Sequence, residues 1–300
     1  MTLVQQTQFT AAGQGKPLLT RDPLLRDDYN RGVKWLFDLA RPLCYGGASP
    51  VVNGAPVKNL AEAFTDASGA IPNGQFIVTA GQTLPFADGG VDFSGITANG
   101  VYLEGPSAAA AAIWANSQYY LGCLYVVLPS SADWETSSGI RAFISWTTNV
   151  NGYALAPDVF NFGQLTTGGQ KMLFMYRQKA LNSVDGKQIA VPATEFSQFA
   201  QIATWRNATE QRSRIRTANG MTWSTSTSPG TDNTVDFSTT KPLVGIHGIG
   251  SSTVSTTNAK KWKLHRGFVE ALGLSGRDPV AVLDADWERT KAKYDAGFYS

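Results

Sequence analysis

The feature that most constrains this chain is its punctuation. From residue 75 to 275, short apolar or alternating runs follow one another, broken roughly every 8–15 residues by Gly-Gly, Asn-Gly, Gly-Pro and similar pairs. Strand-sized runs at that spacing predict an all-β, two-sheet antiparallel sandwich. IRAFISW (140–146) and SRIRT (213–217) alternate, which predicts one buried and one wet face. LYVVL (124–128) is continuous, as for a strand covered on both sides. AAIWANS (111–117) also reads as a strand-sized run, although Ala108–Ala112 before and within it has a weak helical look.

Both ends depart from this rhythm. Residues 1–32 mix Gln, Thr, Gly and Pro without a period, and predict an arm lying on its own domain or on a neighbouring subunit. At the other end, Asp278 can N-cap a helix with Pro279 in its first position. Val280, Leu283 and Trp287 share a face continued by Lys291–Tyr294, and Gly297 supplies a stop. No linker divides the chain. The organisation expected is an arm (1–32), one sandwich (33–276) and a C-terminal helix with its tail (277–300). Residues 31–43 fit a short helix through Val33, Leu36, Phe37 and Ala40, or a strand, which the aromatic content favours.

Charge narrows the function classes. Twenty-five basic and 23 acidic side chains leave +2, and only 16% of residues are charged, against about 25% in an average soluble domain. No basic excess exists to release counterions, so direct nucleic-acid binding is not expected. No apolar run approaches the roughly 20 residues of a membrane span. The opening MTLVQQTQFT lacks a basic patch followed by an apolar stretch, so no secretory leader is expected. Cys44 and Cys123 do not make a disulfide framework, and Cys123 inside LGCLYVVL reads as a buried thiol.

WLFDLA (35–40), VKNLAE (57–62), GGVDFSGI (89–96) and GVYLEG (100–105), with the closing KWKLHRGFVEALGLSGRDPVAVLDADW (261–287), form an ordered series. It resembles the concanavalin A-like, laminin-G-like jelly rolls found among structural proteins of tailed-bacteriophage virions. The likeness spans about 33–287; the middle matches in strand rhythm only. It implies that WLFDLA is a strand and that the two sheets are curved. It also implies a virion location after synthesis in the host cytoplasm, as a capsid-decoration, minor-capsid, tail or baseplate component. The partners would be major capsid or tail subunits, and the chain a homo-oligomer, with a trimer expected. Candidate subunit-docking residues are Phe9, Leu18, Leu19, Leu24 and Leu25 in the arm and Trp287 and Tyr294 in the helix.

The alternative is a carbohydrate-binding module or adhesin for a host-surface glycan, with Trp134, Trp205 and Trp223 as stacking candidates. Enzymatic activity is not expected. Glycoside hydrolases of this fold carry Glu-x-Asp-x-Glu on a strand, so that alternation aims the acids into one groove. Here only Asp133 and Glu135 have that spacing centrally, in a turn-like SSADWETSSG with no third acid. TDNTVD (231–236) offers Asp232, Asn233 and Asp236 as calcium ligands but reads better as a polar turn, so neither a metal nor a cofactor is expected. The Ser/Thr-rich stretch 222–240 is a hydroxyl-rich binding loop or, preferably, an exposed ladder with its turns. His247, between glycines, reads as a tucked structural imidazole, and His265–Arg266 as a surface-facing pair.

Overall fold

The computed structural model describes residues 22–61, 72–147, 158–180, 183–247 and 261–299. Its elements, in chain order, begin with helix α1 (Pro23–Arg26), then strands β1 (Val33–Asp38), β2 (Pro56–Val57), β3 (Gly74–Val78), β4 (Phe86–Ala87), β5 (Gly90–Asp92) and β6 (Val101–Glu104). Helix α2 (Ala108–Ala115) precedes β7 (Tyr120–Val127), β8 (Arg141–Thr147), β9 (Asp158–Thr167), β10 (Gln170–Ala180) and β11 (Ser183–Ala190). The remainder is β12 (Phe199–Arg206), β13 (Gln211–Thr217), β14 (Gly220–Trp223), β15 (Leu243–Ile246), β16 (Lys263–Ala271), α3 (Leu272–Ser275) and α4 (Pro279–Asp295).

Two eight-stranded antiparallel sheets make the sandwich that the punctuation predicts. The first has the order β14-β13-β12-β7-β16-β5-β4, with β1 also paired to β16; the second runs β11-β10-β9-β8-β15-β6-β3-β2. WLFDLA is indeed a strand, and every residue of β1 is buried. β7, central in the first sheet, is buried along nearly its whole length, as its continuous apolar run requires. The sheets approach closely where the Tyr120 and Phe160 rings stack at 4.8 Å. Gly122 beside them has no room for a side chain, since a Cβ there would lie 2.7 Å from Phe160. Gly168 and Gly169, both at positive φ, form the two-residue turn between β9 and β10, where a hairpin's twist demands left-handed residues.

Three expectations need correction. Residues 108–115 are helix, not strand: Ala has the highest helix propensity, and a run of five outweighs the short aromatic stretch that follows. IRAFISW has no wet face; Arg141–Trp146 are all buried. His265 and Arg266 do not face solvent either, being 0% and 1% exposed.

The ends of the described chain fold back onto the sandwich. Asp22 caps α1 by accepting from the Leu24 N–H at 3.0 Å, and Leu24 and Leu25 are buried in the main core. Asp278 caps α4 as expected, accepting from the Val280 N–H at 2.8 Å. Gly297, at φ 81°, ends it: its N–H bonds the Tyr294 carbonyl and the Phe298 N–H bonds the Lys293 carbonyl, the paired closure of a left-handed cap.

Candidate functional site

The two outer sheet faces differ in kind. Across the first sheet, strand register aligns Asp38 (β1), Arg266 (β16), Tyr125 (β7), Gln201 (β12) and Arg216 (β13) in one row. Helix α4 lies along that row and answers it group by group. The Tyr125 hydroxyl donates to Asp286 at 2.8 Å, and the Gln201 amide donates to the Leu283 carbonyl at 2.9 Å. Arg214 and Arg216 reach Asp284 at 2.7 and 2.9 Å, and Arg216 also reaches Glu288. Phe199, Trp287 and Tyr294 stack beside them, Phe199 on Tyr294 at 4.2 Å.

Arg266 is the hub. Its guanidinium donates to Asp22 at 3.0 and 3.2 Å and to Asp286 at 2.9 Å, and Asp38 lies at 3.5 Å. Arg41 and Lys293 brace the same acids from the rim, and the Tyr299 hydroxyl donates to Asp38 at 2.8 Å. Burial pushes the Asp22 carboxyl up, but the charges of Arg266, Arg41 and Lys293 outweigh it and hold the group well below the ordinary carboxylate range. One guanidinium thereby ties the segment entering β1, the last strand and the C-terminal helix together.

The outer row of the second sheet is partly exposed at Gln75 and Glu104 but buried in its middle, where Leu243, Ser145, Asn161 and Tyr176 are each at most 7% exposed. In register across it lie Gln75 (β3), Glu104 (β6), Leu243 (β15), Ser145 (β8), Asn161 (β9), Tyr176 (β10) and Gly186 (β11). Ser145 donates to the Asn161 side-chain oxygen. Half-exposed Tyr102 and Phe174 stand on the same face, one on each side of the sheet's middle. At the β3/β6 end the row opens into a cleft of about 420 Å³ holding Gln75, Glu104 and Lys241.

The residues singled out by sequence are placed as follows. Trp134 and Trp205 are 0% exposed, their indole N–H groups given to the Leu165 carbonyl and to Glu210. Neither offers a ring to a sugar, which corrects that expectation. Trp223 is half-buried, edge-on to Trp205, with Arg212 over its ring at 4.6 Å. Leu24, Leu25 and Trp287 dock within this chain and are buried by it, so none is a free subunit-docking group; Tyr294 is half-buried. Phe9, Leu18 and Leu19 lie outside the described residues.

The candidate acids are occupied. Asp133 pairs with Lys261 at 2.6 Å, which lowers its pKa, and buried Glu135 sits 3.3 Å from Arg141 and accepts from the Ser137 N–H. Asp232 pairs with Arg206 at 2.7 Å, while Asp236 caps a turn at Ser238. Among the described residues, no group of three or more His, Cys, Asp or Glu is placed to hold a metal. The hydroxyl-rich stretch includes a strap: Arg206 donates to the carbonyls of Pro229 and Gly230, and Arg177 to that of Thr231. His247 is tucked edge-on to Tyr102, and burial lowers its pKa to about 3. Both cysteines are free and buried.

What sequence reading missed was Arg266 and the row it anchors. The signal was present: Asp286 interrupts the apolar face of α4, and Asp38 follows the apolar run Trp35–Phe37 at the end of β1. A charge on a buried stripe calls for a buried counter-charge.

No protein-family model matches this chain, and no curated protein sequence does. Solved structures resemble it in strand layout. Domain 4 of an extracellular GH43 arabinanase from Geobacillus stearothermophilus, in complex with arabinotriose, covers 84% of this chain and 97% of its own, at 11% identity and TM-score 0.46. The CBM2 module of the evolved Dit of Lactobacillus casei BL23 phage J-1 covers 80% of this chain and 95% of its own, at 9% identity and TM-score 0.37. A legume lectin-like domain from Entamoeba histolytica covers 62% and 85%, at 8% identity and TM-score 0.36.

Proposed function

We propose that this chain is a structural subunit of a tailed-phage-type particle, packing against other virion proteins as a non-enzymatic block. The observation that carries this reading is the internal locking of its charge. Arg266, Arg214 and Arg216 are matched by acids of the chain's own ends, and the candidate catalytic acids Asp133 and Glu135 are held by Lys261 and Arg141. A chain with few charges, many of them spent inside, presents hydroxyl, amide and apolar groups outward. Those desolvate at less cost than unpaired Lys or Glu when subunits pack. The family resemblance of the first and last strands agrees with this role. A trimer placed among capsid or tail subunits is the expected assembly. Quantitative mass spectrometry of purified particles from the source that encodes the chain tests it: a fixed, integral copy number is expected, and absence from particles overturns it.

A second reading is recognition of a host-surface glycan. Tyr102 and Phe174, half-exposed on the second sheet's outer face, support it, because aromatic rings on a polar sheet suit sugar stacking. A glycan array compares the wild type with Tyr102→Ala and Phe174→Ala. Hits lost in either variant are expected; an array without hits removes the reading.

A further inference from the structure

We infer that the cleft where β3, β6 and the segment before β15 meet α2 binds a neutral pyranose sugar through Glu104, Gln75, Lys241 and Ser107. The inference builds on the glycan-recognition reading and gives it a place; it does not depend on the particle reading.

The cleft encloses about 420 Å³, within the range of small-molecule sites. Its polar groups are half-used. Glu104 takes the Lys241 ammonium at 2.7 Å and the Gln75 amide N–H at 3.1 Å on the same oxygen, Oε1. Among the described residues, Glu104 Oε2, Gln75 Oε1 and the Asn73 side-chain N–H₂ have no partner. Ser107 stands at the start of α2, yet its hydroxyl makes no capping bond. The Lys241 ammonium has further N–H groups to give.

Charge decides between ligand classes. Lys241 and Glu104 neutralise one another, so the cleft offers neither an anion nor a cation a net attraction. What converges is a mixture of donors (Lys241, Asn73, Ser107) and acceptors (Glu104, Gln75, Ser107). A sugar hydroxyl both donates and accepts, and a ring of adjacent hydroxyls matches that mixture. Pro72 and Pro106 line the cleft with rigid C–H surface for the sugar's apolar face. The backbone holds the groups in place: Gln75 and Glu104 are register partners, and the Gly105 N–H bonds the Pro242 carbonyl next to Lys241. Tyr102, two residues before Glu104 on the same strand, points to the same face.

The test uses the full chain, with saturation-transfer NMR and calorimetry against methyl glycosides of glucose, galactose, mannose and N-acetylglucosamine, and against glucuronate as the charged arm. Glu104→Gln, Lys241→Met and Ser107→Ala are compared with Arg289→Ala, a surface pair on α4 far from the cleft in the fold. Binding of at least one neutral glycoside is expected, weakened about tenfold or more in Glu104→Gln and Lys241→Met, as for loss of hydrogen bonds to charged groups, and unchanged in Arg289→Ala. Lys241 is exposed and Glu104 and Ser107 are partly buried, so unchanged thermal unfolding is the control that separates lost binding from lost folding, and Ser107→Ala gives a second reading that leaves the ion pair intact. Neutral-sugar binding that survives all three cleft variants overturns this site while leaving glycan recognition standing. Preference for glucuronate overturns the neutral-sugar assignment. Silence across the glycosides, together with an empty glycan array, removes both.

Discussion

Replacing Arg266 by Met keeps the aliphatic length and removes the charge. The guanidinium lies within 3.5 Å of Asp22, Asp38 and Asp286, and none of the three acids is more than 3% exposed. They are not equally orphaned by its loss. Asp22 keeps Arg41 at 3.1 Å, and Asp38 keeps Arg41, Lys293 and the Tyr299 hydroxyl. Asp286 keeps only the hydrogen bond from Tyr125 among its described side-chain partners. Breaking a buried pair by removing one partner costs about 3–5 kcal/mol, so about 4 kcal/mol is expected here, a large share of the usual 5–15 kcal/mol. Guanidinium chloride unfolding at pH 7 measures it. The pH dependence sharpens the test. The folded pKa of Asp22 is depressed below 3.8, so in the wild type its contribution is present above about pH 4 and lost as pH falls through the folded value. Without Arg266, burial is left with less to oppose it. Asp22 of the variant then takes up its proton at higher pH than in the wild type, and the deficit shrinks as pH falls. Adding Asp286→Asn to Arg266→Met is expected to recover a substantial part of the loss, because neighbours in one network do not add. A deficit below about 1 kcal/mol at pH 7, or one that does not change with pH, refutes the account of Arg266 as a buried hub.

Other consequences are open to direct measurement. Tyr299→Phe removes a hydrogen bond to the buried Asp38 carboxylate and is expected to cost about 1.5–3 kcal/mol in denaturant unfolding. Gly163→Ala would place a Cβ 2.1 Å from the Arg141 carbonyl oxygen and 2.4 Å from the Ala142 Cα; a loss of about 1–3 kcal/mol or more, or insoluble expression, is expected from such overpacking. Burial pushes the Cys44 thiol up to about 12 and the Cys123 thiol well above its usual value, so a thiol reagent at pH 8 should label neither until denaturant is added. Burial lowers His265 to about 4, so its ring resonances should hold still in an NMR titration from pH 8 to 5. Its depressed folded pKa contributes stability that is full above about pH 6.5 and lost as pH falls toward 4.

Much of the sandwich was legible because strands and turns are local. The Gly168–Gly169 hairpin and the two caps of α4 each depend on residues a few positions apart, and the sequence carries those signals whole. Side-chain fate was harder to read. Trp134, Trp205 and Arg266 look alike at the level of pattern, each a large amphipathic group near a strand or turn. What buries them comes from elsewhere: Phe196 edge-on to Trp134, Trp223 edge-on to Trp205, and Asp22, 244 positions from Arg266. The cleft at Glu104 escaped notice for the same reason. Gln75, Glu104 and Lys241 converge only once β3, β6 and β15 are neighbours.

The pairing of β1 with β16 has a consequence for how the protein must be made. Val33 finds its partner at Glu270, near the opposite end of the chain. At about 5–20 residues per second, the ribosome delivers the last strand on the order of ten seconds or more after the first. Through that interval VKWLFD has no strand to sit beside, and β7 lacks one of its two neighbours. Closing so distant a pair is also slow in itself. The nascent chain therefore carries an open edge from the completion of β1 until β16 has been made. A message truncated anywhere before residue 263 would yield a product with that edge permanently unpaired, prone to join its own kind.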